Sequence, residues 1–247
     1  MPLEDTTKIL TKEMVKMAKL GWVLEKLGKN FRQYFNVHNP KQHKTVLDAL
    51  DPTVTFYVGG SYDDAYETGA GSFMPTYPEV YVRSYTDPAS ASYQCGGFRF
   101  PNVTIPQGST INAASFSGYV WSWDYDDVNT EIYGNAVDNA EDFSANPHII
   151  GTAYRPRTSA HVSWVQNSLL TGWKTKTGLE SIIQAIVNRS EWVSGNAIVL
   201  LFIANIAASK QVRFYSYDQS SEYAAKLEIT WEEGAPPVSA GILVQVM

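Results

Sequence analysis

Apolar and polar positions along the chain fall into two regimes. From Thr6 to about Gly28 the apolar residues Ile9, Leu10, Met14, Met17, Leu20, Leu24 and Leu27 recur three or four apart, the spacing that lines one face of a helix. Lys8, Lys12, Lys16, Lys19 and Lys26 fill much of the remaining surface. The pattern predicts an amphipathic helix, weakened slightly at Gly21 and stopped by Gly28-Lys29-Asn30. From Thr53 onward the period shortens to β-branched and aromatic runs separated by Gly, Pro, Asn and Asp. Strands are predicted near 53–58, 79–85, 94–100, 114–121, 130–134, 160–164, 197–204, 211–216 and 226–231, as a sandwich or barrel requires. One helix interrupts them. It opens on the capping-box match Thr177-Gly178-Leu179-Glu180, with Leu179, Ile182, Ile183 and Ile186 on one face. After the last strand come Gly234-Ala235-Pro236-Pro237 and the apolar run Ile242–Met247. The expected organisation is therefore a helical N-terminal arm over 1–50, a β-sandwich over 51–233 and an extended C-terminal tail over 234–247.

Apolar residues make up 44% and charged residues 18% of the 247, ample for a packed core and too apolar for disorder. The single cysteine, Cys95, rules out an intrachain disulfide, so stability has to come from packing. The net charge of −6 is uneven: residues 1–50 hold nine Lys and Arg against five Asp and Glu, leaving ten against twenty in the rest. A body that acidic argues against general nucleic-acid binding. The acids of MPLEDTTKILTKEM stand where a signal peptide needs basic residues, so no signal peptide is expected. The longest apolar run, Ala197–Ala204, falls far short of the ~20 residues of a membrane span.

Four stretches carry a resemblance: FRFPNVTIPQGSTINAA from Phe98, DNAEDFS from Asp138, GLESIIQAIVNRSEWVSGNAIVLLF from Gly178 and YSYDQSSEYAAKLEITW from Tyr215. In order, they resemble a jelly-roll β-sandwich module, akin to carbohydrate-binding modules, found in microbial surface proteins and phage structural proteins. The resemblance implies a mostly β, jelly-roll-like antiparallel sandwich with one inserted short helix. It implies no activity, because such folds carry many unrelated functions. The local chemistry agrees with the fold. Ile105-Pro106-Gln107-Gly108 reads as a turn, Ser194-Gly195-Asn196 as a reversal, and Ile198–Ile203 as a strand buried on both faces.

Catalytic signatures are missing. Cys95 reads as a small buried residue rather than a nucleophile. His38, His43, His148 and His161 lack zinc spacing, and no nucleophile elbow, P-loop or dinucleotide fingerprint occurs, so no enzyme is expected. Acidic clusters stand at Asp63-Asp64 with Glu67, at Asp124 with Asp126 and Asp127, and at Asp138 with Glu141 and Asp142. Solvated loop acids are the plain reading. The functional alternative is structural calcium, with Asp63 and Asp64 as first candidates, and no other cofactor is expected. Tyr119, Trp121, Trp123 and Tyr125 alternate at period two and would share one strand face. If Val120 faces the core, the row faces solvent and meets a protein or a glycan. If the register shifts by one, the row is itself core.

Two functions follow as expectations. The first is a virion structural protein of a tailed phage, a capsid decoration or cement protein or a tail or fibre component, assembled in the host cytoplasm. It would hold viral structural proteins and copies of itself through its terminal segments, with Met14, Met17, Leu24, Ile242, Leu243 and Val244 as contacts. The alternative is a carbohydrate-binding module or adhesin that uses the sandwich surface, with a glycan as partner.

Overall fold

The computed structural model describes residues 51–121, 128–166 and 171–232 in full, and the backbone of residues 22–28, 31–36 and 39–47. The chain divides into two units, Met1–Asp51 and Pro52–Met247. In the first, strands β1 (Trp22–Gly28), β2 (Phe31–Asn36) and β3 (Asn39–Leu47) form an antiparallel sheet in that order. This corrects the helical reading over 22–28. Gly28 pairs with Phe31 and Trp22 with Asn36. Gly28 thus ends a strand instead of a helix, and the aromatic-rich FRQYFN over 31–36 favours strand. Residues 1–21 of the predicted arm, with the helix from Thr6 to residue 21, and the tail over 234–247 lie outside the described residues.

The second unit is an antiparallel β-sandwich. Its strands are β4 (Thr53–Tyr57), β5 (Asp64–Thr68), β6 (Phe73–Met74), β7 (Glu79–Ser84), β8 (Gln94–Phe100), β9 (Thr110–Val120), β10 (Val128–Asn135), β11 (Arg157–Gln166), β12 (Gly172–Thr177), β13 (Ile198–Ala204), β14 (Lys210–Tyr215) and β15 (Lys226–Glu232). One layer runs β11-β10-β13-β8-β5. In the other, β9 pairs with β12, with β15 and, at Val120, with β14, while β7 continues from β14 and β4 from β15. Arg83↔Gln94 joins the layers between β7 and β8.

Alternation explains why the layers stack. On β9, Phe116, Gly118 and Val120 are buried while Ser115, Ser117 and Tyr119 are not. β14 repeats the pattern, with Val212 and Phe214 inward and Arg213 and Tyr215 outward. Phe98 and Phe202 of one layer meet Phe116 and Phe214 of the other, with ring centroids 4.7–6.1 Å apart. All four rings are fully buried, each contributing roughly 1.5–3 kcal/mol from the area removed from water. β13 is buried on both faces along most of its length, as its unbroken apolar run predicts. Gly118 is required here: a Cβ would lie 2.6 Å from Phe214 Cδ1.

The helix α1 (Glu180–Val187) closes the core with Leu179, Ile182, Ile183, Ile186 and Val187. Its predicted capping box does not form. Thr177 stays in β12, paired with Ser115, and Leu179 takes the N-cap position with no side-chain cap bond. Glu180 and Gln184 turn instead to β9, accepting the Ala114 N–H at 3.1 Å and the Ile111 N–H at 2.9 Å. In the irregular stretch between β10 and β11, buried side chains add partners for the backbone. Arg155, pushed down to about 10 by burial, donates to the carbonyls of Glu141, Asp142 and Asn146. Glu67 Oε2 accepts the N–H groups of Ile149 and Ile150, each at 2.7 Å.

Candidate functional site

The outward positions of β4, β7, β9, β12, β14 and β15 share one solvent-facing sheet surface. Aromatic rings run across it. Tyr119 of β9 stacks on Tyr215 of β14 at 5.3 Å and 18°, lies 4.1 Å from the Tyr223 ring, and meets Trp173 of β12 edge-on at 5.6 Å. Trp121 meets Tyr215 at 5.2 Å. Among the described residues, Val120 faces the core and Tyr119 and Trp121 lie on the opposite side, half-buried. Trp173 is 37% and Tyr57 52% exposed. Trp123 and Tyr125, the rest of the predicted row, lie outside the described residues.

The sequence row therefore meets rings it could not foresee. Trp173 arrives because Gly172–Thr177 pairs with Val120–Ser115, which sets Trp173 opposite Tyr119. The alternation of Trp-Lys-Thr-Lys-Thr over 173–177 is the signal that would have found this strand. Tyr223 comes from the 3-10 turn Ser221–Tyr223 in the excursion between β14 and β15. That excursion is pinned at its start: Ser216 Oγ donates to the Tyr77 carbonyl at 2.7 Å, and the Tyr217 N–H donates to Asp64 Oδ2 at 2.8 Å.

Cations and hydroxyls border the rings. Arg213 lies 5.6 Å from the rings of both Trp121 and Tyr81, with Glu79 at 3.4 Å. Tyr81 donates its hydroxyl to Glu79 at 2.9 Å, and burial holds that hydroxyl well above its ordinary pKa. Lys226 Nζ sits 3.8 Å from the Trp173 centroid and 5.9 Å from that of Tyr57. Ser117 bonds Thr175 at 2.8 Å, and Thr53 bonds Thr230 at 2.7 Å. Tyr215 is raised above the ordinary phenol by burial and by the neighbouring Tyr119 and Tyr223, so its hydroxyl stays protonated at neutral pH. Among the described residues, the outward positions of these strands hold no Leu, Ile, Val, Met or Phe. The surface combines ring faces with polar groups and has no aliphatic patch.

The acidic candidates have structural partners. Asp63 pairs with Arg99 at 2.5 Å, while Asp64, 1% exposed, turns to Tyr217. Burial raises the Asp64 carboxyl well above the usual range against that N–H bond, and Asp218 and Asp63 push it further up. Among the described residues, no group of three or more His, Cys, Asp and Glu side chains gathers as a metal site. Asp138 pairs with Arg189 at 2.8 Å. Asp142 accepts from Ser144 and Ala145, and its carboxyl is held below its usual range first by the Ser144 hydroxyl bond. Asp124, Asp126 and Asp127 lie outside the described residues. Cys95 is fully buried, and its thiol is pushed up to about 11 by burial. Of the attachment residues, Met14, Met17, Ile242, Leu243 and Val244 lie outside the described residues, and Leu24 lies in β1, where only the backbone is described.

No protein-family model and no curated relative matches the chain. Solved structures with a similar chain course include the isomalto-dextranase of Arthrobacter globiformis T6 complexed with panose, at 12% identity and a TM-score of 0.30. That match covers 84% of this chain and 30% of the enzyme, so the chain spans less than a third of that relative. TmCBM61 in complex with β-1,4-galactotriose is similar over 80% of this chain and 90% of its own, at 11% identity and a TM-score of 0.22. The xyloglucanase domain of NopAA, a type three effector from Sinorhizobium fredii in complex with cellobiose, is similar over 84% and 96%, at 14% identity and a TM-score of 0.23. At such scores none of them superposes closely enough to assign a site to this chain.

Proposed function

We propose that the protein is a carbohydrate-binding module, and that the outer surface of β9, β12, β14 and β15 is its glycan platform. The observation that carries this reading is the cluster of Tyr119, Trp173, Tyr215, Tyr223 and Trp121 on the solvent side of a strand whose other side already fills the core. Core packing does not need these rings. A large aromatic surface left in contact with water marks a binding site. The surroundings favour a sugar over a protein. A pyranose offers an apolar C–H face to stack on a ring and hydroxyls to bond polar neighbours, and this surface supplies partners for both. The platform works by binding and needs no catalytic group.

The virion reading rests on residues 1–50 and 234–247, and nothing in the sandwich favours it over the platform. The test is affinity electrophoresis of the whole protein through gels containing neutral and acidic polysaccharides. Retardation by at least one of them is expected, and it should be lost in the Tyr119→Ala, Trp173→Ala double variant. Free migration through every gel would refute the platform.

A further inference from the structure

The two cations of the platform are treated differently. Arg213 has Glu79 beside it at 3.4 Å. Lys226 opens β15 and lies over the Trp173 ring at 3.8 Å, with Tyr57 at 5.9 Å. Among the described residues it has no carboxylate within ion-pairing distance, and Glu228, two positions along the same face, takes the Thr55 hydroxyl at 3.4 Å. Ring faces orient an ammonium through their quadrupole but add no negative charge. Lys226 therefore presents a whole positive charge within the aromatic surface of a body in which acids outnumber bases twenty to ten over residues 51–247.

Covering such a charge with a neutral sugar removes water from it and gives no counter-ion in return. Covering it with an anionic sugar replaces the lost water with a charge-assisted bond. We infer that the platform takes an acidic glycan, one whose sugar carries a carboxylate or a sulfate ester, and that Lys226 binds the anionic group while Trp173 and Tyr119 stack on the sugar rings. The inference rests on the platform reading and specifies its ligand class.

The test uses the full chain in titration calorimetry with four ligands: an oligogalacturonide, its fully methyl-esterified twin, a sulfated galacto-oligosaccharide and a neutral galacto-oligosaccharide. At least one anionic ligand should bind about tenfold more tightly than its neutral counterpart, as a bond to a charged group implies, and its affinity should fall as salt is raised. Preference for the uronide over its ester assigns a carboxylate, and preference for the sulfated over the neutral galactoside assigns a sulfate. Lys226→Met should erase the preference by weakening only the anionic ligand, and Lys226→Arg should keep most of it. Equal binding of charged and neutral partners, or a preference that survives Lys226→Met, would overturn the inference and leave the platform standing. Absence of binding by all four ligands, together with free migration in every polysaccharide gel, would overturn both.

Discussion

The two faces of β9 use aromatic residues in different ways. Inward, Phe116 meets Phe98, Phe202 and Phe214, rings without a polar atom and fully shielded from water. Outward, Tyr119 meets Tyr215, Tyr223 and Trp173, rings that each carry a hydroxyl or an indole N–H. Ring distances on the two sides are alike, 4.7–5.9 Å inward and 4.1–5.6 Å outward, so contact geometry does not separate them. Water does. A phenylalanine cluster is stable because nothing in it needs solvation, whereas Tyr and Trp tolerate a wet boundary and can exchange bound water for a ligand. Stability and recognition are thereby assigned to opposite sides of one strand.

The contrast breaks most visibly on the inner side. Phe116→Ala should destabilise the fold by about 3–5 kcal/mol, read as a lower denaturant midpoint, and a loss near zero would mean that the layers do not depend on this contact. Gly118→Ala should cost about 1–3 kcal/mol, because its Cβ would press on the buried Phe214 and Phe116 rings at 2.6–3.1 Å.

A third substitution sharpens the link between the inner and outer sides. Burial raises the Asp64 carboxyl, so the folded state holds this proton more tightly than the unfolded chain does. Its contribution to stability is complete below the ordinary carboxyl range of about 4 and is lost as pH rises toward the raised folded value. Asp64→Asn keeps an acceptor for the Tyr217 N–H and removes the proton, so it should flatten stability against pH over that window. An unchanged slope in denaturation between acidic and neutral pH would contradict the assignment.

Much of this arrangement was legible in the chain. Nine strands of the sandwich lie where β-branched and aromatic runs predict them, β13 because both of its faces are buried and the others because one face turns toward the other layer. Alternation at Phe116, Gly118 and Val120 against Tyr119 and Trp121 left two registers open, and the burial of Val120 selects the outward one. β5 was missed because Asp64 and Glu67 read as solvated loop acids, whereas both are buried, one holding Tyr217 and the other the backbone of Ile149 and Ile150. β12 is harder to read because its inward positions are Lys174 and Lys176, so the alternation over 173–177 runs without the apolar face that marks the other strands. The partners of Tyr119 were beyond reach for a different reason. Trp173, Tyr215 and Tyr223 are distant along the chain: strand pairing brings the first two to Tyr119, and the 3-10 turn Ser221–Tyr223 brings the third.

The most direct measurement is on the Tyr119→Ala, Trp173→Ala double variant, with its denaturant midpoint and its glycan retardation read on the same preparation. Stability should fall by far less than in Phe116→Ala, with roughly 1 kcal/mol lost for each half-exposed ring, while glycan retardation disappears. A variant that unfolds as readily as Phe116→Ala, or one that is still retarded like the parent protein, would show that the outer rings are not the binding surface.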